Sequence, residues 1–259
     1  MSFNREVNMR MISSTEYECD FALENTTPSE ANKLRKYIMS SIATLAIDTI
    51  DSIENTSVLI NEQIIQRLGY IPIVSKIVDQ FNIYNECTCD KDCEKCSIPF
   101  SIQVTNYTQE PLEVTTHDIR IEHSDISVFS DSKYGIPITR LTKNQVCNIR
   151  GKIKKGYGSQ HSKWSPVGTV SYKFLPTFTF KRKMTPAEMD KLVDICPMSV
   201  FKKVNDIEDL DIHANKCTVC NECVYVFPEV IDIGFKTDTA IFKVESVGQL
   251  TIEEIMNQL

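Results

Sequence analysis

Ala31, Leu34, Ile38, Met39 and Ile42 recur at helical spacing, so segment 28–42 predicts an amphipathic helix whose opposite face carries Lys33, Arg35 and Lys36. Its start is marked just upstream. In Thr27-Pro28-Ser29-Glu30, Thr27 suits the cap, Pro28 the first helical position and Glu30 the closing carboxylate of a capping box. The apolar face suits either the domain's own sheet or a partner. Ile60, Ile64, Ile65 and Leu68 predict a second, shorter helix, with Gly69 as a left-handed cap and Pro72 beyond it. Alternation of apolar and polar residues predicts strands at Phe100, Ile102 and Val104, at Ile119 and Ile121, at Val170, Tyr172 and Phe174, and at Phe242 and Val244. Ala46-Ile47-Asp48-Thr49-Ile50 reads as a further strand between the helices. Helices and strands mix without a βαβ rhythm, which places the chain in the α+β class. From 186 to 235 strand signals thin out and Asp, Glu, Lys and Cys crowd in, as in a small inserted domain.

A chain of 259 residues with 42% hydrophobic content can bury a core, as one large domain or two to three small ones. The net charge of -7 argues against a protein built to grip nucleic acid directly, because duplex affinity comes mainly from Lys and Arg neutralising phosphates. No apolar run approaches the roughly 20 residues that span a bilayer. Asn4, Arg5, Glu6 and Arg10 stand where a signal peptide needs an apolar stretch, so an intracellular protein without membrane contact is expected. In a reducing compartment, ten cysteines point to metal rather than disulfides. Cys19 and Cys147 stand apart from the rest and read as buried small hydrophobes.

Cys87, Cys89, Cys93 and Cys96 form C-x-C-x3-C-x2-C within a polar loop, 86–97. Four thiolates so close in sequence can close a tetrahedron around one structural Zn2+ and leave no open position for a reacting water. The binding free energy, roughly 10–16 kcal/mol in zinc-finger peptides, would fold a loop with almost no apolar residues of its own.

The second set follows a crossing rule. In two-cluster bacterial ferredoxins the run is C-x2-C-x2-C-x3-C-P, and the fourth Cys of each run ligates the other run's cluster. Cys217, Cys220 and Cys223 supply three ligands, and Cys196, followed by Pro197, supplies the crossing fourth. The other cluster would need positions 186, 189, 192 and 227, which hold Pro186, Met189, Leu192 and Phe227. One iron–sulfur cluster, 4Fe–4S or 3Fe–4S, is therefore expected, with a second Zn2+ on the same four thiols as the alternative.

Catalytic signals are missing. His117, His123, His161 and His213 fall in no recognisable catalytic arrangement, and neither G-x-G-x-x-G nor a Walker pattern occurs. The chain is expected not to be an enzyme by itself. An electron carrier built on the ferredoxin-like segment remains the alternative function.

Ala46–Ile50, Glu54-Asn55-Thr56-Ser57-Val58-Leu59 and Gln66-Arg67-Leu68-Gly69-Tyr70-Ile71-Pro72-Ile73 resemble signatures of one family, as do Lys155-Gly156-Tyr157-Gly158, His161-Ser162-Lys163-Trp164-Ser165-Pro166-Val167 and Phe242–Gly248. That family joins the third-largest subunit of eukaryotic RNA polymerase II, its archaeal RNA polymerase counterpart and the N-terminal domain of the bacterial alpha subunit. The resemblance implies a discontinuous alpha-subunit-type dimerisation domain (16–44, 170–185 and 236–259), an inserted mixed-sheet domain (45–169) and a ferredoxin-like insert (186–235). It further implies a non-catalytic assembly role, with a small alpha-like subunit packing on helix 28–42 and two large catalytic subunits docking onto the heterodimer. Lys154, Lys155, His161, Lys163 and Trp164 are the docking residues it suggests. The location would be the nucleus in a eukaryote and the cytoplasm in an archaeon or virus. After Gly248 the family continues into a long amphipathic helix, whereas Thr251–Leu259 gives little more than two turns.

Overall fold

The capping box at the first helix forms as its residues dictate: Thr27 N–H donates to Glu30 Oε2 at 2.8 Å, and Glu30 N–H donates to Thr27 Oγ1 at 3.3 Å. Strands β1 (Asn8–Ser14) and β2 (Glu18–Glu24) precede this helix, α1 (Pro28–Ser40); β3 (Ala43–Asn55) and α2 (Asn61–Gly69) follow it. The middle of the chain holds β4 (Ile98–Thr105), β5 (Leu112–Thr115), β6 (Ile119–Ile121), β7 (Pro137–Leu141), β8 (Val146–Tyr157) and the long β9 (Val167–Phe180). Then come α3 (Pro186–Ile195), β10 (Phe201–Lys203), β11 (Leu210–Ile212), α4 (Glu222–Val226), β12 (Ile231–Ser246) and α5 (Ile252–Met256). These elements belong to a computed structural model that describes residues 7–89, 92–130, 133–204 and 210–259; positions 90 and 91 of the cysteine loop and 205–209 of the expected insert lie outside the described residues.

Three apolar cores organise the described residues. In the first, α1 and α5 pack on the antiparallel sheet β1-β2-β12-β9, burying Phe21, Leu34, Ile38, Phe242 and Ile255. Phe21 and Phe242 are cross-strand partners whose rings stack with centroids 4.9 Å apart. Such a pair adds about 0.5–1.5 kcal/mol beyond its buried area. The second core lies under the sheet β3-β8-β4-β6, closed by α2 and the β5–β7 pair, and contains Leu45, Ile47, Leu68, Phe100 and Ile149. In the third, Met189, Leu192, Phe201 and Phe227 pack against Ile231 at the start of β12. The β9–β12 ladder runs from Phe180↔Ile231 to Val167↔Ser246 with a register shift between Lys236 and Ala240, so one strand pair serves the first and third cores.

Gly69 departs from its expected role. It ends α2 without a positive φ, and a Cβ there would meet only ordinary contacts, the Ile47 carbonyl and the Lys163 side chain each at 3.8 Å, so the helix stops without a left-handed turn. Gly248 does take a positive φ, +95°, and a Cβ there would meet the Phe129 ring. The turn it permits delivers the buried Gln249, whose Nε2 donates to the Lys163 carbonyl at 3.0 Å and the Leu45 carbonyl at 3.4 Å. Gln249 thereby fastens the end of the first sheet onto the second core.

Candidate metal centres and the surrounding ion network

The first cysteine set converges. Cys96 and Ser97 both donate their backbone N–H to the Cys93 carbonyl at 3.0 Å, a tight turn that folds the last ligand back onto the third. The sulfur of Cys93 lies 3.7 Å from those of Cys87 and Cys96, and Cys89 lies 3.6 Å from Cys96. All four sulfurs lie within 4.8 Å of one another. A tetrahedron with metal–sulfur bonds of about 2.3 Å has edges of about 3.8 Å, so this geometry fits one ion of zinc's size. The thiols also differ in acidity. A hydrogen bond from the Cys89 backbone lowers Cys87 to about 7, whereas burial pushes Cys96 up to about 12. A cation accepting all four as thiolates resolves that conflict.

Ion pairs tie this loop to the central sheet. Lys152 and Lys154 project from β8, and Lys152 Nζ reaches Asp92 Oδ2 at 2.5 Å and Asp51 at 3.6 Å. Lys154 Nζ lies 3.5 Å from Asp92 Oδ1, 4.0 Å from Asp48 Oδ2 and 3.5 Å from the Tyr84 ring centroid. An ammonium whose side chain is only 7% exposed needs such partners to offset its lost hydration. Lys163 Nζ completes the array at 2.6 Å from Asp48 Oδ1.

The suggested docking residues are accordingly divided between inside and outside. The side chains of Lys154, Lys155 and Lys163 are 7%, 13% and 14% exposed and face Asp48, Asp79 and Asp92. Trp164 is buried in its own chain, its Nε1–H donating to the Lys154 carbonyl at 3.0 Å and its ring lying over Gly156, where a Cβ would be 2.5 Å away. His161 is exposed and accepts the Lys163 N–H on Nδ1 at 3.1 Å. Tyr70, also exposed, shares a 2.9 Å hydrogen bond with Ser162 beside it.

Cys196, Cys217 and Cys223 of the second cysteine set lie in or against the third core, and Cys220 is exposed. Burial raises the Cys223 thiol, and the charges of Cys217, Cys220 and Cys196 nearby raise it further. Among the described residues this set does not close to the 4.8 Å spacing of the first. Ser199, Val219 and Asn221 hold φ of 49°, 58° and 63° in the turns beside these cysteines. For β-branched Val219 that conformation is strained, and such strain gathers at functional sites. The turns aim amides at sulfur: Val200 N–H donates to Cys196 Sγ at 3.4 Å and Val219 N–H to Cys217 Sγ at 3.3 Å. Lys173 of β9 clamps the same loop, donating to the carbonyls of Asn215 at 2.6 Å and Cys217 at 3.2 Å. Met189, Leu192 and Phe227, at three of the positions where a second cluster would need cysteine, are buried in the third core.

Residue patterns did not single out Asp48, Tyr84, Asp92, Lys173 or Gln249. The one available signal was Lys152-Ile153-Lys154, which a strand reading places with both ammonium groups on one face.

Residues 52–171 match the family described as the RNA polymerase Rpb3/RpoA insert domain. Across 97% of the chain and 90% of the relative, it is 34% identical to a conjugation stage-specific protein of Tetrahymena thermophila. It is 31% identical to the DNA-directed RNA polymerase II subunit rpb3 of Dictyostelium discoideum, over 91% of this chain and 84% of the relative. The DNA-directed RNA polymerase subunit Rpo3 of Archaeoglobus fulgidus shares 27% identity, over 96% and 91% of the two chains.

Proposed function

The chain belongs to the family of the third RNA polymerase subunit, represented by rpb3 and Rpo3, and from that membership we propose that it is a non-catalytic assembly subunit of a DNA-dependent RNA polymerase. The observation that carries the reading is similarity over nearly the whole chain to polymerase subunits from a eukaryote and an archaeon. In this role residues 16–44, 170–185 and 236–259 form the dimerisation domain, 45–169 the inserted domain and 186–235 the ferredoxin-like insert. The outward face of α1, with Met39 exposed, and the end of α5 at Met256 would receive the small alpha-like subunit. A permanent contact of this kind buries upwards of about 2,000 Å2. The exposed side of the Trp164 turn, formed by His161 with Tyr70, would meet a large catalytic subunit; Lys154, Lys155 and Lys163 act beneath it by holding the turn in shape. Net charge -7 supports the absence of direct sequence-specific contact with nucleic acid.

Cys87, Cys89, Cys93 and Cys96 would hold one Zn2+, which when bound closes the loop and performs no reaction. Cys196, Cys217, Cys220 and Cys223 would hold one 4Fe–4S or 3Fe–4S cluster. The amide-to-sulfur hydrogen bonds at Cys196 and Cys217 support this reading, because such bonds tune an iron–sulfur cluster. No helix among the described residues is long and apolar enough to cross a membrane. An intracellular site of action, nuclear in a eukaryote and cytoplasmic in an archaeon or virus, accords with the role.

The test is affinity purification of the tagged chain from its own cells followed by mass spectrometry. The two largest polymerase subunits and a small alpha-like subunit are expected. Recovery of redox enzymes in their place would overturn the assembly reading in favour of an electron carrier.

A further inference from the structure

Lys154 touches two segments that lie far apart along the chain. On one side are Asp92 and Tyr84, which bracket Cys87 and Cys89 in the cysteine loop. On the other is the 161–164 turn, reached along two routes. The Lys154 carbonyl accepts the Trp164 indole N–H at 3.0 Å, and its ammonium shares Asp48 with Lys163, whose own ammonium lies 4.4 Å from the centroid of the Trp164 ring.

We propose that Lys154 is a positioning residue that couples metal occupancy of the Cys87–Cys96 loop to the packing of Trp164, and so to the shape of the 161–164 turn. This rests on the zinc reading above. Asp92 Oδ1 is buried and has no hydrogen bond of its own, so the Lys154 charge at 3.5 Å compensates it. That arrangement holds only while the loop is closed. The loop is poor in apolar residues, and its closure depends on joining its four sulfurs. When it opens, Asp92 and Tyr84 leave together, and a nearly buried ammonium keeps Asp48 alone, 4.0 Å away. Lys154 then gains most by moving towards Asp48, where it competes with Lys163 for one carboxylate. The strand position that anchors the indole N–H and the ammonium above the indole ring are disturbed together. Lys152 does not replace the link, because its partners are Asp92 and Asp51 and neither reaches the 161–164 turn.

The chain carries its own reporter, since Trp164 is the single tryptophan. Its emission is recorded on the purified full-length chain while zinc is withdrawn by a chelator and counted. In the unmodified chain, loss of zinc should shift the emission to longer wavelength and raise its quenching by acrylamide. Asp48→Asn leaves the Asp92–Lys154 contact in place, so it should keep its zinc while the Trp164 response to zinc loss disappears. Lys154→Met should start with the red-shifted emission and show no further change on zinc loss. Zinc leaving the unmodified chain with no change at Trp164 would overturn the coupling and spare the zinc reading, as would an Asp48→Asn chain that responds like the unmodified one. A chain that binds no zinc at all removes the reading beneath the proposal and the proposal with it.

Discussion

Replacing Gly248 by Ala perturbs the joint between the first sheet and the second core at one atom. Two costs add. The backbone sits at φ +95°, which an L-residue with a Cβ adopts at a cost of about 1–2 kcal/mol. The new methyl would lie 2.1 Å from Phe129 Cδ1 and 2.5 Å from its Cγ, so the whole ring must move rather than a flexible tip. Phe129 has little room, because its backbone N–H is bonded to the Pro72 carbonyl at 2.9 Å and its ring packs on Tyr17 with centroids 5.0 Å apart. Overpacking of this kind typically costs about 1–3 kcal/mol. The sum, roughly 2–5 kcal/mol, is a large part of the 5–15 kcal/mol that holds an ordinary domain folded. Equilibrium urea denaturation of the full-length chain, with zinc supplied throughout, measures the difference. Gly168→Ala is the control, since a Cβ there meets only Val247 Cγ1 at 3.4 Å and the backbone is not left-handed. If Gly248→Ala lies within about 0.5 kcal/mol of the unmodified chain, the size of a neutral surface change, the argument for this joint is wrong.

Replacing Cys93 and Cys96 together by Ser should lower zinc by about one ion per chain, as for a closed four-thiolate site; unchanged stoichiometry by elemental analysis would refute that centre. Cys220→Ser should remove the broad visible absorbance of anaerobically purified protein, and an unmodified chain that is colourless from the start would dispose of the cluster. The third concerns acid. Glu188 is held at about 2, against an ordinary 4.5, chiefly by its paired hydrogen bonds from Arg182 and then by the Thr185 backbone. Its pKa is lowered by folding, so its stabilisation is present above about 4.5 and lost as pH falls towards about 2. The stability difference between the unmodified chain and Glu188→Gln should therefore shrink across that window, measured by denaturation at each pH; a constant difference would contradict the assignment.

Local signals were the most legible part of the fold. Thr27, Pro28 and Glu30 marked the start of α1 because a cap is written within four residues, and Ala31, Leu34 and Ile38 marked its buried face. The α+β class followed from the same patterns. Strand β1 gave little sign, since all seven of its residues are exposed and the alternation of Asn8-Met9-Arg10-Met11 is broken at once by Ile12. Strands β10 and β11, three residues each, are too short to show a period and are held together by pairing with one another. The four sulfurs of the first centre could be grouped from spacing alone, because they lie within ten residues. The ion network could not. Asp92 and Lys152 are 60 positions apart and Asp48 and Lys163 are 115 apart; the pairing of β3 with β8 brings Asp48 and Asp51 beside Lys152 and Lys154, and the cysteine loop and the 161–164 turn then add Asp92 and Lys163. Lys154, Lys155 and Lys163, which the resemblance suggests as docking residues, thus face the chain's own carboxylates.

Depleting the chain from its own cells and sedimenting the polymerase is the most direct test of an assembly role. The two large catalytic subunits should no longer travel with the small alpha-like subunit as one particle, and restoring the chain should restore that particle. Particles of full size and composition that persist after depletion would contradict the account.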